Sequence, residues 1–224
     1  MHRVHEAFPL IVYQGMVNCH EDIKNNINEL REYWFDGYRN ESPEYSGRIF
    51  AHQKESCRPF FDELRMHVDN YFEYLNIDHS KLDYHIIKSW VGYHENDDTP
   101  SVKPHNHNAS DLSFVFYVKT DETSDKFCVA QEKNPNECVG DLFMEAFQKN
   151  LITGYNRYNC NVYSISPIEG SILIFPSKIG HFTQKFTERK GERLVIPGDI
   201  RVTLKPENPD YHQGSTHPSQ WLQL

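Results

Sequence analysis

The chain has 224 residues, 38% hydrophobic and 25% charged, a balance that argues against a disordered chain and suffices for one domain with its own core. Its formal net charge of -9 argues against nonspecific binding to a nucleic-acid backbone, and no apolar run approaches the roughly 20 residues of a membrane span. The cysteines Cys19, Cys57, Cys128, Cys138 and Cys160 are odd in number and form no Cys-x-x-Cys, and residues 1–12 lack the features of a secretory signal. Both point to a reducing cytoplasm rather than a disulfide framework.

In chain order, residues 8–15 read as a short strand ending at a glycine. Ile23, Ile27, Leu30 and Trp34 then recur at helical spacing and predict one amphipathic helix, entered at Asn18 or His20 and stopped near Gly37. The polar residues 38–58 read as a loop, and a second helix is predicted from Pro59 onward. After Asn76 the chain turns β-rich: residues 82–93, then a breaker-filled loop over 95–104, and a strand over 112–118. Further strands are predicted at 126–130 and at about 158–165, 171–175, 180–186 and 192–204, with a short helix over 141–149 and an irregular tail from 205. Helices first and strands afterwards favour a mainly β fold, a double-sheet jelly roll with N-terminal helices packed on one sheet. We expect a single domain over 1–224, helical over 1–80 and with its β core at about 82–204.

The residues that carry chemistry begin at His105-Asn106-His107, just before the apolar strand. In an extended chain, side chains two apart share a face, so His105 and His107 can reach one point. In a chain with 13 histidines such a pair does not by itself define a site. Its position at the rim of a buried strand, and a third histidine, His181, in a second strand-like setting, make a site for a divalent transition metal. There is no His-Glu-x-x-His helix, glycine-rich phosphate loop or Gly-x-Ser-x-Gly elbow. What survives is a mononuclear site on strands, either iron with open positions or zinc on three imidazoles. Arg193, on the strand after His181, could point into the same barrel mouth and anchor a carboxylate through both guanidinium arms.

Taken together, Trp90, His105-x-His107, Ser113, Tyr117, Gly170 to Phe175-Pro176, His181, Glu192-Arg193 and Gly198-Asp199-Ile200 resemble the iron(II)/2-oxoglutarate-dependent oxygenases. The closer resemblance is to small bacterial and phage members with His-x-His in place of His-x-Asp. The resemblance implies a double-stranded β-helix of the cupin-like kind. It implies Fe(II) on His105, His107 and His181, and 2-oxoglutarate on that iron with its far carboxylate on Arg193. Dioxygen would be the other cosubstrate, and hydroxylation with release of succinate and carbon dioxide the usual outcome. Val195 stands where a small polar residue is usual, so a cosubstrate hydrogen bond must come from Ser113, Tyr117 or Tyr93. Asp111 shares the strand parity of His105, and is expected to support a ligand histidine rather than to bind metal. The rival readings are a zinc enzyme on the same histidines and a non-catalytic jelly-roll binding protein. Substrate contacts are expected from residues 38–58, 94–104 and 131–157.

Overall fold

The computed structural model describes residues 9–39, 50–95, 101–138, 143, 152–184, 191–207 and 217–222. Its strands are β1 (Tyr13–Met16), β2 (Leu82–Ser89), β3 (Gly92–Glu95), β4 (Leu112–Lys119), β5 (Lys126–Ala130), β6 (Val162–Ile165), β7 (Ser171–Pro176), β8 (Gly180–Gln184) and β9 (Glu192–Leu204). The helices are α1 (His20–Lys24), α2 (Ile27–Arg39) and α3 (Arg58–Tyr74). The larger sheet has the order β1-β7-β4-β9-β2, with β3 also on β9, and the smaller has the order β6-β5-β8.

Strand parity divides the interior in two. Phe114, Phe116 and Val118 of β4, Ile172 and Ile174 of β7, and Leu194 and Ile196 of β9 join one apolar cluster with the helices. Their neighbours of opposite parity, Tyr117, Leu173, Phe175 and Val195, form a second cluster with Phe127 and Val129 of β5. Successive strand side chains point to opposite faces, so a sheet covered on both sides reads as a continuous apolar run. The helices cover one face and the smaller sheet the other, which makes the architecture a jelly roll. The second face is the one that matters for chemistry. Arg193 and Asp199, both buried, share the parity of Val195 on β9.

The helical layer is held by α3, whose Phe60, Leu64, Val68 and Phe72 are buried at i, i+4 spacing. Phe60 stacks on Phe116 with ring centroids 4.5 Å apart. Burying a side chain of this size contributes roughly 1.5–3 kcal/mol. Pro59 sits in the first turn, and the chain leaves the helix through Asn76 at φ 55, a left-handed conformation that asparagine tolerates.

The expected first helix is two. Ile23 and Leu30 are buried and Ile27 and Trp34 pack against the same cluster, so the apolar stripe is real. The helix breaks at Asn25-Asn26, where the Asn26 side chain bonds the Asp22 carbonyl and competes with the backbone ladder. It resumes as α2 and runs past Gly37 to Arg39. The stretch 82–93 likewise divides, because β2 bulges between Ile86 and Lys88 before β3 starts afresh on β9. The first strand does not end at Gly15 but runs through it to Met16, and short 3-10 turns occupy 51–53 and 55–57 of the expected loop. The helix expected over 141–149 lies outside the described residues apart from position 143.

Candidate metal centre

The His-x-His pair is not on β4 but on the segment that precedes it, laid along the free side of β8. His105 and His181 face each other as an antiparallel bridge, each amide donating to the other's carbonyl at 3.0 and 2.9 Å. Further along, the His107 amide donates to the Ser177 carbonyl at 2.8 Å. A turn at 108–109 then carries the chain across to the larger sheet. The three imidazoles thus meet where the two sheets approach, their centroids 4.3 to 5.0 Å apart. One ring nitrogen of each lies within 4.8 Å of the other two.

The hydrogen bonds decide which nitrogen that is. Nδ1 of His105 donates to the Lys103 carbonyl at 2.8 Å, and Nδ1 of His181 to the Ile179 carbonyl at 3.0 Å. Nδ1 of His107 donates to a carboxylate oxygen of Asp199 at 2.5 Å. Every Nδ1 has an acceptor, so each ring carries its proton there and offers the Nε2 lone pair, the tautomer a metal requires. Burial, reinforced by the two neighbouring imidazoles, pushes the pKa of His181 down to about 4, so that it is neutral at physiological pH.

That shift has a thermodynamic consequence for the metal-free protein. The unfolded chain takes up a proton on His181 near the ordinary value of 6.5, whereas the folded chain does so only at about 4. Between these values the unfolded state binds more protons, so stability is lost as pH falls through the window. We expect a loss of about 3 kcal/mol from this residue, read from denaturant unfolding of apo-protein, and its removal in His181→Gln.

Asp111 does not support a ligand histidine. Its carboxylate accepts from the Val202 amide at 2.9 Å and lies 3.4 Å from Arg201, while its own amide donates to the Ile200 carbonyl. It ties the start of β4 to β9. The residue at His107 is instead Asp199, which also accepts from the Ser113 hydroxyl at 2.7 Å. Strand parity carried from Arg193 along β9 could have found it. Ser113, expected as a cosubstrate contact, has its hydroxyl proton committed to Asp199, with Ser177 2.9 Å away.

A cavity of about 570 Å3 opens beside the three histidines and reaches Arg193, with Trp34, Trp90 and Tyr93 in its wall. Arg193 is 7% exposed, its Nε has no hydrogen-bond partner, and no carboxylate among the described residues pairs with it. Its guanidinium carbon lies 5.6 Å from the centre of the Tyr117 ring. The Tyr117 hydroxyl is also buried and without a partner. Burial raises its pKa, outweighing the opposing pull of Arg193, so the phenol keeps its proton. Tyr117 pairs in register with Val195 and thus stands beside the position where the expected polar residue is missing. Tyr93 lies across from Leu194, with Arg31 5.9 Å over its ring. A buried cation and a buried donor, both unsatisfied, fit an anionic ligand in this cavity.

The family model described as "Putative 2OG-Fe(II) oxygenase" matches residues 88–199, half of the chain, and spans the histidines, the arginine and Asp199. The chain belongs to this family of iron(II)- and 2-oxoglutarate-dependent oxygenases; its cofactors are Fe(II) and 2-oxoglutarate, and dioxygen is its other cosubstrate. No curated protein matches it in sequence. Among solved structures, the nickel complex of the non-heme monooxygenase ThoJ is similar over 88% of this chain and 75% of that one, with 11% identity and a TM-score of 0.50. A prolyl-4-hydroxylase from Pseudomonas putida is 15% identical over 85% of this chain and 86% of its own, with a TM-score of 0.47. HygX from Streptomyces hygroscopicus with iron bound is 12% identical over 86% and 82%, also with a TM-score of 0.47. At 11% identity the likeness to ThoJ shows the fold alone, the double-stranded β-helix.

Proposed function

We propose that this oxygenase holds its iron on His105, His107 and His181 and takes the far carboxylate of 2-oxoglutarate on Arg193, with the Tyr117 hydroxyl as the second donor. With both groups bound, the chemistry supplied is oxidation of an unactivated C–H bond by dioxygen, with release of succinate and carbon dioxide. The chain's own part is to position and to exclude water. Hydrogen bonds at Nδ1 fix each imidazole with Nε2 free, and Phe127 of the smaller sheet and Phe175 of the larger, in ring contact with each other and with His181, line the cavity beside the site. The five cysteines are free thiols, which suits a reducing cytoplasm, and among the described residues no helix is long and apolar enough to cross a membrane.

One observation carries this reading over a zinc site on the same histidines: the buried guanidinium, without an ion-pair partner among the described residues, in the wall of the cavity the histidines share. A zinc hydrolase has no use for it, whereas a dicarboxylate that also binds the metal satisfies it. The test is uncoupled turnover. Protein loaded anaerobically with Fe(II), then given 2-oxoglutarate and air without a prime substrate, is expected to form succinate, and the zinc-loaded protein none. Iron-loaded protein that binds 2-oxoglutarate yet forms no succinate under any condition would remove the assignment.

A further inference from the structure

Three imidazoles bring no negative charge to a divalent ion, whereas the common two-histidine-one-carboxylate site carries an anion among its ligands. A carboxylate is nevertheless within one ring of this centre. Asp199 is 6% exposed, its Oδ1 accepts from His107 and from Ser113, and no lysine or arginine among the described residues pairs with it. A buried carboxylate held only by neutral donors is costly, and the cost is offset when a positive charge stands nearby. The place for that charge is at the far nitrogen of the His107 ring.

We propose that Asp199 is a positioning residue that supplies, through His107, the negative charge the ligand set lacks. It sets the His107 ring with Nε2 toward the metal, makes that nitrogen a stronger donor, and stabilises the higher charge of oxidised iron. Ser113 holds the carboxylate in place: it lies opposite Asp199 in the β4–β9 register, and its hydroxyl bonds Asp199 while touching Ser177. The inference rests on His107 being an iron ligand.

The test compares wild type, Asp199→Asn and Asp199→Glu by anaerobic equilibrium dialysis with Fe(II) and by the Fe(III)/Fe(II) midpoint potential. Asparagine keeps the shape and can still accept from His107, but it lacks the charge. Its iron affinity is expected to fall about 10–100-fold and its potential to rise, while glutamate keeps the potential near that of wild type. Wild-type affinity and potential in Asp199→Asn would overturn the proposal. If that variant does not fold, Asp199→Glu and Ser113→Ala carry the test. Both keep the charge, so both should hold the potential near wild type, and a potential raised in both would equally overturn the proposal. His107→Ala is the separate control. Wild-type iron binding there would refute the ligand assignment itself, whatever Asp199 does.

Discussion

Iron is expected to leave His107→Ala almost completely, while Asp111→Asn keeps it. Losing one of three ligands should cost well beyond the roughly 10–100-fold that an outer partner of a ligand is worth, and turnover of 2-oxoglutarate should vanish with the metal. The Asp111 carboxylate faces the Val202 amide and Arg201, away from the three imidazoles. Its amide replacement can still accept from Val202, so folding stability should change by no more than about 1 kcal/mol. Metal analysis after anaerobic dialysis, with an unfolding curve for each variant, checks both statements. Iron retained in His107→Ala and lost in Asp111→Asn would reverse the assignment.

Arg193→Ala is expected to separate cosubstrate binding from stability. Taking away the partner of a buried carboxylate costs about 3–5 kcal/mol, so affinity for 2-oxoglutarate should fall by roughly two to four orders of magnitude. The apo-protein should be no less stable, because Arg193 is buried without a carboxylate partner among the described residues. Lysine should restore binding only in part, since it lacks the planar fork. Titration of anaerobic iron-loaded protein with 2-oxoglutarate measures the effect, and unchanged affinity in the alanine variant would remove Arg193 from the site.

Much of this was legible in the chain because it is written in local periodicity. The bounds expected for the strands at 126–130 and 192–204 are those of β5 and β9, and the helix expected from Pro59 is α3. A strand buried on both faces is continuously apolar whatever it pairs with, and an i, i+2 histidine pair shares a face wherever an extended segment lies. The convergence of His105, His107 and His181 therefore needed only that two segments meet, and the bridge between His105 and His181 is that meeting. The break in the first helix was less legible, because it turns on a side-chain bond from Asn26 that competes with a strong apolar stripe.

What only the tertiary structure decided is which polar group answers which. Asp111 and Asp199 are both aspartates on or beside strands, and chain proximity favours Asp111 as the partner of His107. The partner is Asp199, 92 positions away, because the register of β4 against β9 sets Ser113 opposite Asp199 and turns Asp111 to the amide of Val202. The same register commits the Ser113 hydroxyl and leaves that of Tyr117 unsatisfied near Arg193. Residue types and periodicity name the groups able to do chemistry. Pairing between strands far apart in sequence assigns their partners, since a hydrogen bond depends on a few tenths of an ångström that no local pattern encodes.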